Sequence, residues 1–219
     1  MKLIFFVMSM ALFVSTKAQS DLPLQYTDNG DSSKPMILYI SGDGGLNSFT
    51  NSLINSLNQE GYAILALNAK SYFWHKKEPA EFATAITQAV SSYLRIKKKN
   101  SFVVLGYSFG ADVAPFLATR LPSSLASKCK SILLLSPSGH TDFEIKIVDM
   151  LGWGSKKENN VVKELNKVAL PTTLFFGQDE KDFPVNDVTI HKQVVVMSGG
   201  HHYGNDINDL ASEISHKIR

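Results

Sequence analysis

Cysteine is nearly missing from this chain: Cys129 is the one thiol in 219 residues. No internal disulfide can form, and zinc fingers and other multi-thiolate metal sites are excluded. Charge of one sign is missing as well. Lys and Arg number 22 against 20 Asp and Glu, so the basic excess of a nucleic-acid surface is absent. Beyond the first twenty residues, no apolar run approaches the roughly 20 residues that cross a bilayer. The chain lacks the Lys-Ser/Thr ending of a P-loop and the Gly-x-Gly-x-x-Gly pattern of dinucleotide sites. What remains is an ordinary globular composition, 44% hydrophobic with mixed charges, at a length suited to one domain with a substantial core.

The start of the chain has a pattern of its own. Lys2 precedes an apolar run, Leu3–Val14, followed by Ser15-Thr16-Lys17-Ala18-Gln19. A charged start, twelve apolar residues and a small residue at a cut site form the pattern of a secretory signal. Twelve residues are too few for an anchoring helix. The expected division is residues 1–18 as signal peptide, cleaved after Ala18, and 19–219 as a single domain. Cleavage removes Lys2 and Lys17 and no acid, leaving 20 basic against 20 acidic residues. The expected product is exported, periplasmic or secreted, without nucleic-acid partners.

Within that domain, short apolar runs occur at Met36–Ile40, Ala63–Leu67, Phe102–Leu105, Ile132–Leu135, Thr173–Phe176 and Val194–Met197. They are continuous rather than alternating, as in parallel strands covered on both faces. Helical spacing separates them: Phe49, Leu53, Ile54 and Leu57; then Phe82, Ile86, Ala89, Val90 and Tyr93. Further helices are expected from Phe109 to Thr119 and over Ile207–Ile218. This alternation predicts an α/β domain with a mostly parallel central sheet flanked by helices, with Leu22–Thr27 as an added edge strand. About 36 residues separate the fourth and fifth of these strands, including Thr141–Glu144 and Leu151–Gly154. A connection that long predicts a small cap insertion over one end of the sheet, followed by a helix near Asn160–Val168.

Chemistry concentrates at Gly106-Tyr107-Ser108-Phe109-Gly110. Gly-x-Ser-x-Gly is common by chance, but here an apolar strand runs into it and a helix pattern follows. Such a turn strains the serine and lifts its hydroxyl clear of the sheet, with the helix N-terminus aimed at a developing oxyanion. Ser108 is therefore the candidate nucleophile, and it needs a base. Of six histidines, His201 and His202 follow the last strand through Ser198-Gly199-Gly200, at the end of the sheet where Ser108 emerges. His201, directly after the glycines, is the favoured base, with His202 the alternative. The orienting acid is expected after the preceding strand, in Gly177-Gln178-Asp179-Glu180-Lys181-Asp182-Phe183-Pro184. Glu180 lies three residues after the glycine and four before the proline, as such acids commonly do; Asp182 and Asp179 remain open. The order serine, acid, histidine is that of the α/β-hydrolases.

An oxyanion hole needs two backbone donors: the amide of Phe109, and one from Ser41-Gly42-Asp43-Gly44-Gly45, where Asp43 is favoured over Gly44. Asp112 either complements the helix dipole or helps bind a cation at the site mouth. Pro115 is expected in the first turns of its helix. Tyr72-Phe73-Trp74 reads as pocket lining, as a lipid contact, or as packing under the cap. Cys129 reads as an inert core residue and Lys97–Lys99 as the solvated end of a helix. No metal or organic cofactor is called for.

With these residues in view, the chain resembles the AcvB/VirJ family of bacterial virulence proteins, small periplasmic α/β-hydrolases. The resemblance rests on Ser41–Gly45, Tyr72–Trp74, Gly106-Tyr107-Ser108-Phe109-Gly110-Ala111-Asp112-Val113-Ala114-Pro115, Asp142–Glu144 and Gly199-Gly200-His201-His202-Tyr203. These blocks span nearly the whole exported chain in order. The resemblance implies a serine esterase acting on lysyl-phosphatidylglycerol, an aminoacylated membrane lipid, with peripheral membrane contact and a link to virulence. Gly44, Trp74 and Asp112 are the candidate substrate-binding residues, and Asp43, Asp112, Asp142 and Glu144 are candidates to face a cationic head group.

Overall fold

The computed structural model describes residues 22–28, 31, 33–146 and 157–218. The expected signal peptide, and the Leu151–Gly154 part of the expected cap, lie outside them. Seven strands form one sheet: β1 (Leu24–Thr27), β2 (Met36–Ile40), β3 (Ile64–Leu67), β4 (Phe102–Tyr107), β5 (Cys129–Leu135), β8 (Thr172–Gly177) and β9 (Lys192–Met197), in the order β1-β3-β2-β4-β5-β8-β9. A two-stranded antiparallel ladder, β6 (His140–Thr141) with β7 (Asn159–Asn160), lies in the long connection. β1 runs antiparallel to β3, and every other pairing in the large sheet is parallel.

The unbroken apolar runs follow from burial on both faces. Along β2, Met36, Leu38 and Ile40 point into one core, while Ile37 and Tyr39 point into the other. The first core is covered by α3 (Pro79–Ile96), α4 (Phe109–Ala118) and α6 (Val161–Leu165). The second is covered by α1 (Ser48–Gln59) and α7 (Ile207–Lys217). Two short helices, α2 (Ala69–Tyr72) and α5 (Ser123–Ala126), turn the chain between layers. β9 is an edge strand, so Val194 and Val196 are exposed there.

Two local expectations change. Pro115 sits in the second turn of α4, beyond the first-turn positions where a missing donor costs nothing, and the helix continues to Ala118. Phe109–Leu117 are all buried, so packing on every side holds a helix that the missing donor would otherwise weaken. Lys99 is buried rather than solvated. Its stem folds back and its ammonium donates to the carbonyls of Asp31 and Lys34.

Part of the long connection lies over the sheet's carboxyl end. Phe143 is buried against Phe73, Phe82 and Phe116. Backbone bonds from Lys77 to Phe143 and from Ile145 to Phe73 tie this segment to the chain after β3.

Candidate active site

Ser108 stands where β4 ends and α4 begins, with φ 52° and ψ −119°. A non-glycine residue held in this region costs on the order of 1–3 kcal/mol and persists only where its surroundings enforce it. The Ser108 amide donates to Leu135 O, and its carbonyl accepts from the amides of Ala111 and Asp112. The flanking glycines are needed for contact: a Cβ on Gly110 would lie 2.0 Å from Ile40 O, and one on Gly106 2.4 Å from Gly110 O. No side chain fits at either position, so β2, β4 and α4 pack backbone to backbone beneath the serine.

His201 Nε2 lies 2.9 Å from Ser108 Oγ, and His201 Nδ1 lies 2.8 Å from Glu180 Oε1. The imidazole is seated from below, because Tyr107 donates its hydroxyl to His201 O and the two rings are 5.4 Å apart. Glu180 Oε2 accepts from the Gly177 amide (2.8 Å) and from the Ser136 hydroxyl (2.7 Å). Burial alone would raise the Glu180 carboxyl. Hydrogen bonds from His201, Ser136 and the Gly177 amide outweigh it and hold the group below its ordinary range.

The neighbouring candidates fall elsewhere. His202 packs edge-on against Phe49. Asp179 is exposed, its amide bonded to Gly199 O, and Asp182 lines a separate groove with His140 and Pro184.

Above the serine is a cavity of about 160 Å3, walled by Asp43, Phe109, Asp112, Ser138, Asp142, Glu144, Lys146 and Lys157, among others. The loop after β2 passes against the nucleophile; a Cβ on Gly42 would come within 3.3 Å of Ser108 Cβ. Among the described residues, the amides of Phe109 and Asp43 have no backbone acceptor. Two of the candidate substrate contacts are not in the wall. Gly44 faces the N-terminus of α1, where an added Cβ would meet Asn47 Nδ2 at 2.8 Å. Trp74 is 45% exposed. Its neighbour Phe73 takes the inward position, stacking on Phe82, Phe109 and Phe143.

Asp112 is in the wall but is no simple dipole partner, being only 3% exposed. Its Oδ1 accepts from the Ser138 amide (2.6 Å), and its Oδ2 lies 2.7 Å from Ser138 Oγ, which is also 2.8 Å from His140 O. Ser138 has one hydroxyl proton and cannot give it to both. If Asp112 carries a proton on Oδ2, it donates to Ser138, Ser138 donates to His140 O, and every group is satisfied. The electrostatics agree. Burial pushes the Asp112 carboxyl from 3.8 up to about 7, against the opposing pull of the Ser138 bonds, Lys157 and His201.

Sequence reasoning missed Ser136, Tyr203, Ser138 and Lys157 as parts of the site. Ser136 carried one weak signal, its place just beyond an apolar strand on the side where Ser108 emerges. Among the described residues, no group of His, Cys, Asp and Glu is placed to hold a metal ion, and no helix is long and apolar enough to cross a membrane.

A serine, an acid and a histidine beyond the carboxyl ends of β4, β8 and β9 of such a sheet belong to the α/β-hydrolase fold, and known structures share it. Est1E of Butyrivibrio proteoclasticus, solved with ferulic acid, superposes with a TM-score of 0.64 at 16% identity over 90% of this chain and 95% of its own. The Pyrococcus furiosus esterase Pf2001 gives 0.64 at 16% over 90% and 84%. A lipase-esterase related protein of Clostridium acetobutylicum gives 0.64 at 15% over 90% and 100%. No curated protein matches the sequence. The chain belongs to the bacterial virulence protein (VirJ) family, whose model matches residues 34–219.

Proposed function

We propose that this chain is an exported serine esterase that removes the aminoacyl group from lysyl-phosphatidylglycerol or a related aminoacylated lipid. The observation that carries the reading is the unbroken run of hydrogen bonds from Ser108 through His201 to Glu180, opening into a cavity above the serine. His201 Nε2 takes the Ser108 proton as Oγ attacks the ester carbonyl. The amides of Phe109 and Asp43 receive the oxyanion; one such donor is worth about 3–4 kcal/mol where measured in a serine hydrolase. Glu180 holds the Nδ1–H tautomer and stabilises the imidazolium. Collapse returns the proton to the departing glycerol oxygen, and the aminoacyl group stays on Ser108. A water activated by His201 then releases the free amino acid and restores the serine.

Cavity size and charge support the substrate class. About 160 Å3 is well below the roughly 300–1,000 Å3 of a site that encloses a drug-sized ligand. It suits one aminoacyl group, with the acyl chains left in the membrane. Even with Asp112 protonated, three acids, Asp43, Asp142 and Glu144, stand against Lys146 and Lys157, and Glu144 pairs with Lys146. The balance tilts toward a cationic group. Family membership and the signal-like N-terminus support action outside the cytoplasm.

The test is a panel at fixed enzyme concentration: vesicles of lysyl-phosphatidylglycerol, vesicles of a neutral aminoacyl analogue, and soluble aryl esters and thioesters. Preferential release of lysine supports the reading. Turnover of soluble esters alone would make the protein a general carboxylesterase or thioesterase, and no turnover of any would leave a binding module on a hydrolase frame.

A further inference from the structure

The acid beside His201 is a glutamate, one methylene longer than the more frequent aspartate, and its extra torsion must be fixed before it can orient an imidazole. Oε1 is committed to His201, so the fixing falls on Oε2, which accepts from the Gly177 amide and from Ser136 Oγ. Ser136 Oγ in turn lies 2.7 Å from Tyr203 Oη, and both residues are buried.

Proton counting gives this chain a direction. A carboxylate only accepts. The single Ser136 proton therefore goes to Glu180, and the bond between the two hydroxyls is donated by Tyr203. The Phe175 carbonyl, 3.3 Å from Tyr203 Oη, takes a longer share of the same proton. Burial raises the Tyr203 phenol well above its ordinary value, which keeps that proton in place.

The backbone is bent to make the contact. Ser136 has φ 51° just past β5, and Tyr203 has φ 52° just past the His201 turn. Two strained non-glycine residues meeting at one pair of hydroxyls mark a position the fold enforces.

We infer that Ser136 and Tyr203 are positioning residues that act through Glu180, a one-way buried relay from Tyr203 to Ser136 to the carboxylate that holds the longer acid on His201. Ser136 reaches the edge of the reaction cavity, whereas Tyr203 is not part of its wall. Removing the tyrosine hydroxyl should therefore slow the chemistry and leave substrate binding alone. The inference rests on the serine-hydrolase reading above.

The experiment compares Tyr203→Phe, which keeps the ring, and Ser136→Gly, which suits the left-handed backbone, in wild-type and Glu180→Gln backgrounds. The readouts are kcat and KM on an aryl ester and the rate at which a fluorophosphonate labels Ser108. Tyr203→Phe should lower kcat and the labelling rate about fivefold, the scale of one buried hydrogen bond, with KM unchanged. Ser136→Gly should cost about tenfold or more in kcat, since it removes the bond made to the charged group itself. In the Glu180→Gln background both further losses should vanish, because the acid they act through is gone. A full-rate Tyr203→Phe, or equal losses in both backgrounds, overturns the inference. Should Tyr203→Phe fail to fold, the Ser136→Gly cycle decides by the same rule. A wild type that neither labels nor turns over refutes the serine-hydrolase reading itself, a result distinct from a labelled wild type insensitive to these hydroxyls.

Discussion

Replacing Asp112 with asparagine should stabilise the protein at alkaline pH far more than at acid pH. Asparagine copies the protonated acid: Oδ1 still accepts from the Ser138 amide, Nδ2 donates to Ser138 Oγ, and Ser138 donates to His140 O. In the wild type, the carboxyl is raised by burial from 3.8 to about 7. Below about pH 4, the folded and unfolded chains both carry the proton, and this group does not affect stability. Between about pH 4 and 7 the unfolded chain ionises while the folded one does not, so stability falls as pH rises. Above about pH 7 both are ionised and the full penalty stands, about 4 kcal/mol. From pH 5 to pH 8 the wild type should lose about 2–3 kcal/mol through Asp112. Urea unfolding of both proteins at these two pH values measures it, since other titrating groups are common to both and cancel in the difference. The gap in favour of Asp112→Asn should widen by that amount at pH 8. A gap that is the same at both values would refute the proton count at Ser138.

Three further outcomes follow from packing. Gly177→Ala would put a Cβ 2.2 Å from Gly200 O. The His201 turn must move, so thermal denaturation should show a loss of about 1–3 kcal/mol, and ester turnover should fall at least 100-fold with it. Phe143→Ala empties the centre of the Phe73–Phe82–Phe116 cluster. Chemical denaturation should register about 3–5 kcal/mol, and KM should rise as the Asp142–Lys146 wall loosens. Cys129, buried with its thiol pushed up to about 12 by desolvation, should resist iodoacetamide in the native protein at pH 8 and react fully in denaturant, as read by intact mass.

Much of this architecture was legible because burial on both faces leaves a plain mark. Met36–Ile40 is apolar at every position since the two cores claim alternate residues. β9 was harder to bound, because at the sheet edge most of its residues are not buried and the strand extends back to polar Lys192 and Gln193. Ser108 could be located from local steric demands alone, as its glycines answer contacts within a few residues and one neighbouring strand. The acid was different. Asp179, Glu180 and Asp182 lie within four positions of one turn, and only the path of that turn seats Glu180 on His201. Tyr203 stands in the Gly199–Tyr203 block, but its contact with Ser136 was not legible in the sequence, since their meeting depends on β5 and the His201 turn lying side by side. Asp112 misled for the same reason: an acid in a helix's first turn reads as a dipole partner until the chain from β5 closes over it.

The nucleophile itself can be tested in one step. Incubated with a fluorophosphonate and digested, the wild type should carry a single adduct on the peptide containing Ser108, and Ser108→Ala should carry none. An unmodified Ser108 peptide, or an adduct on another serine that survives Ser108→Ala, would contradict the account.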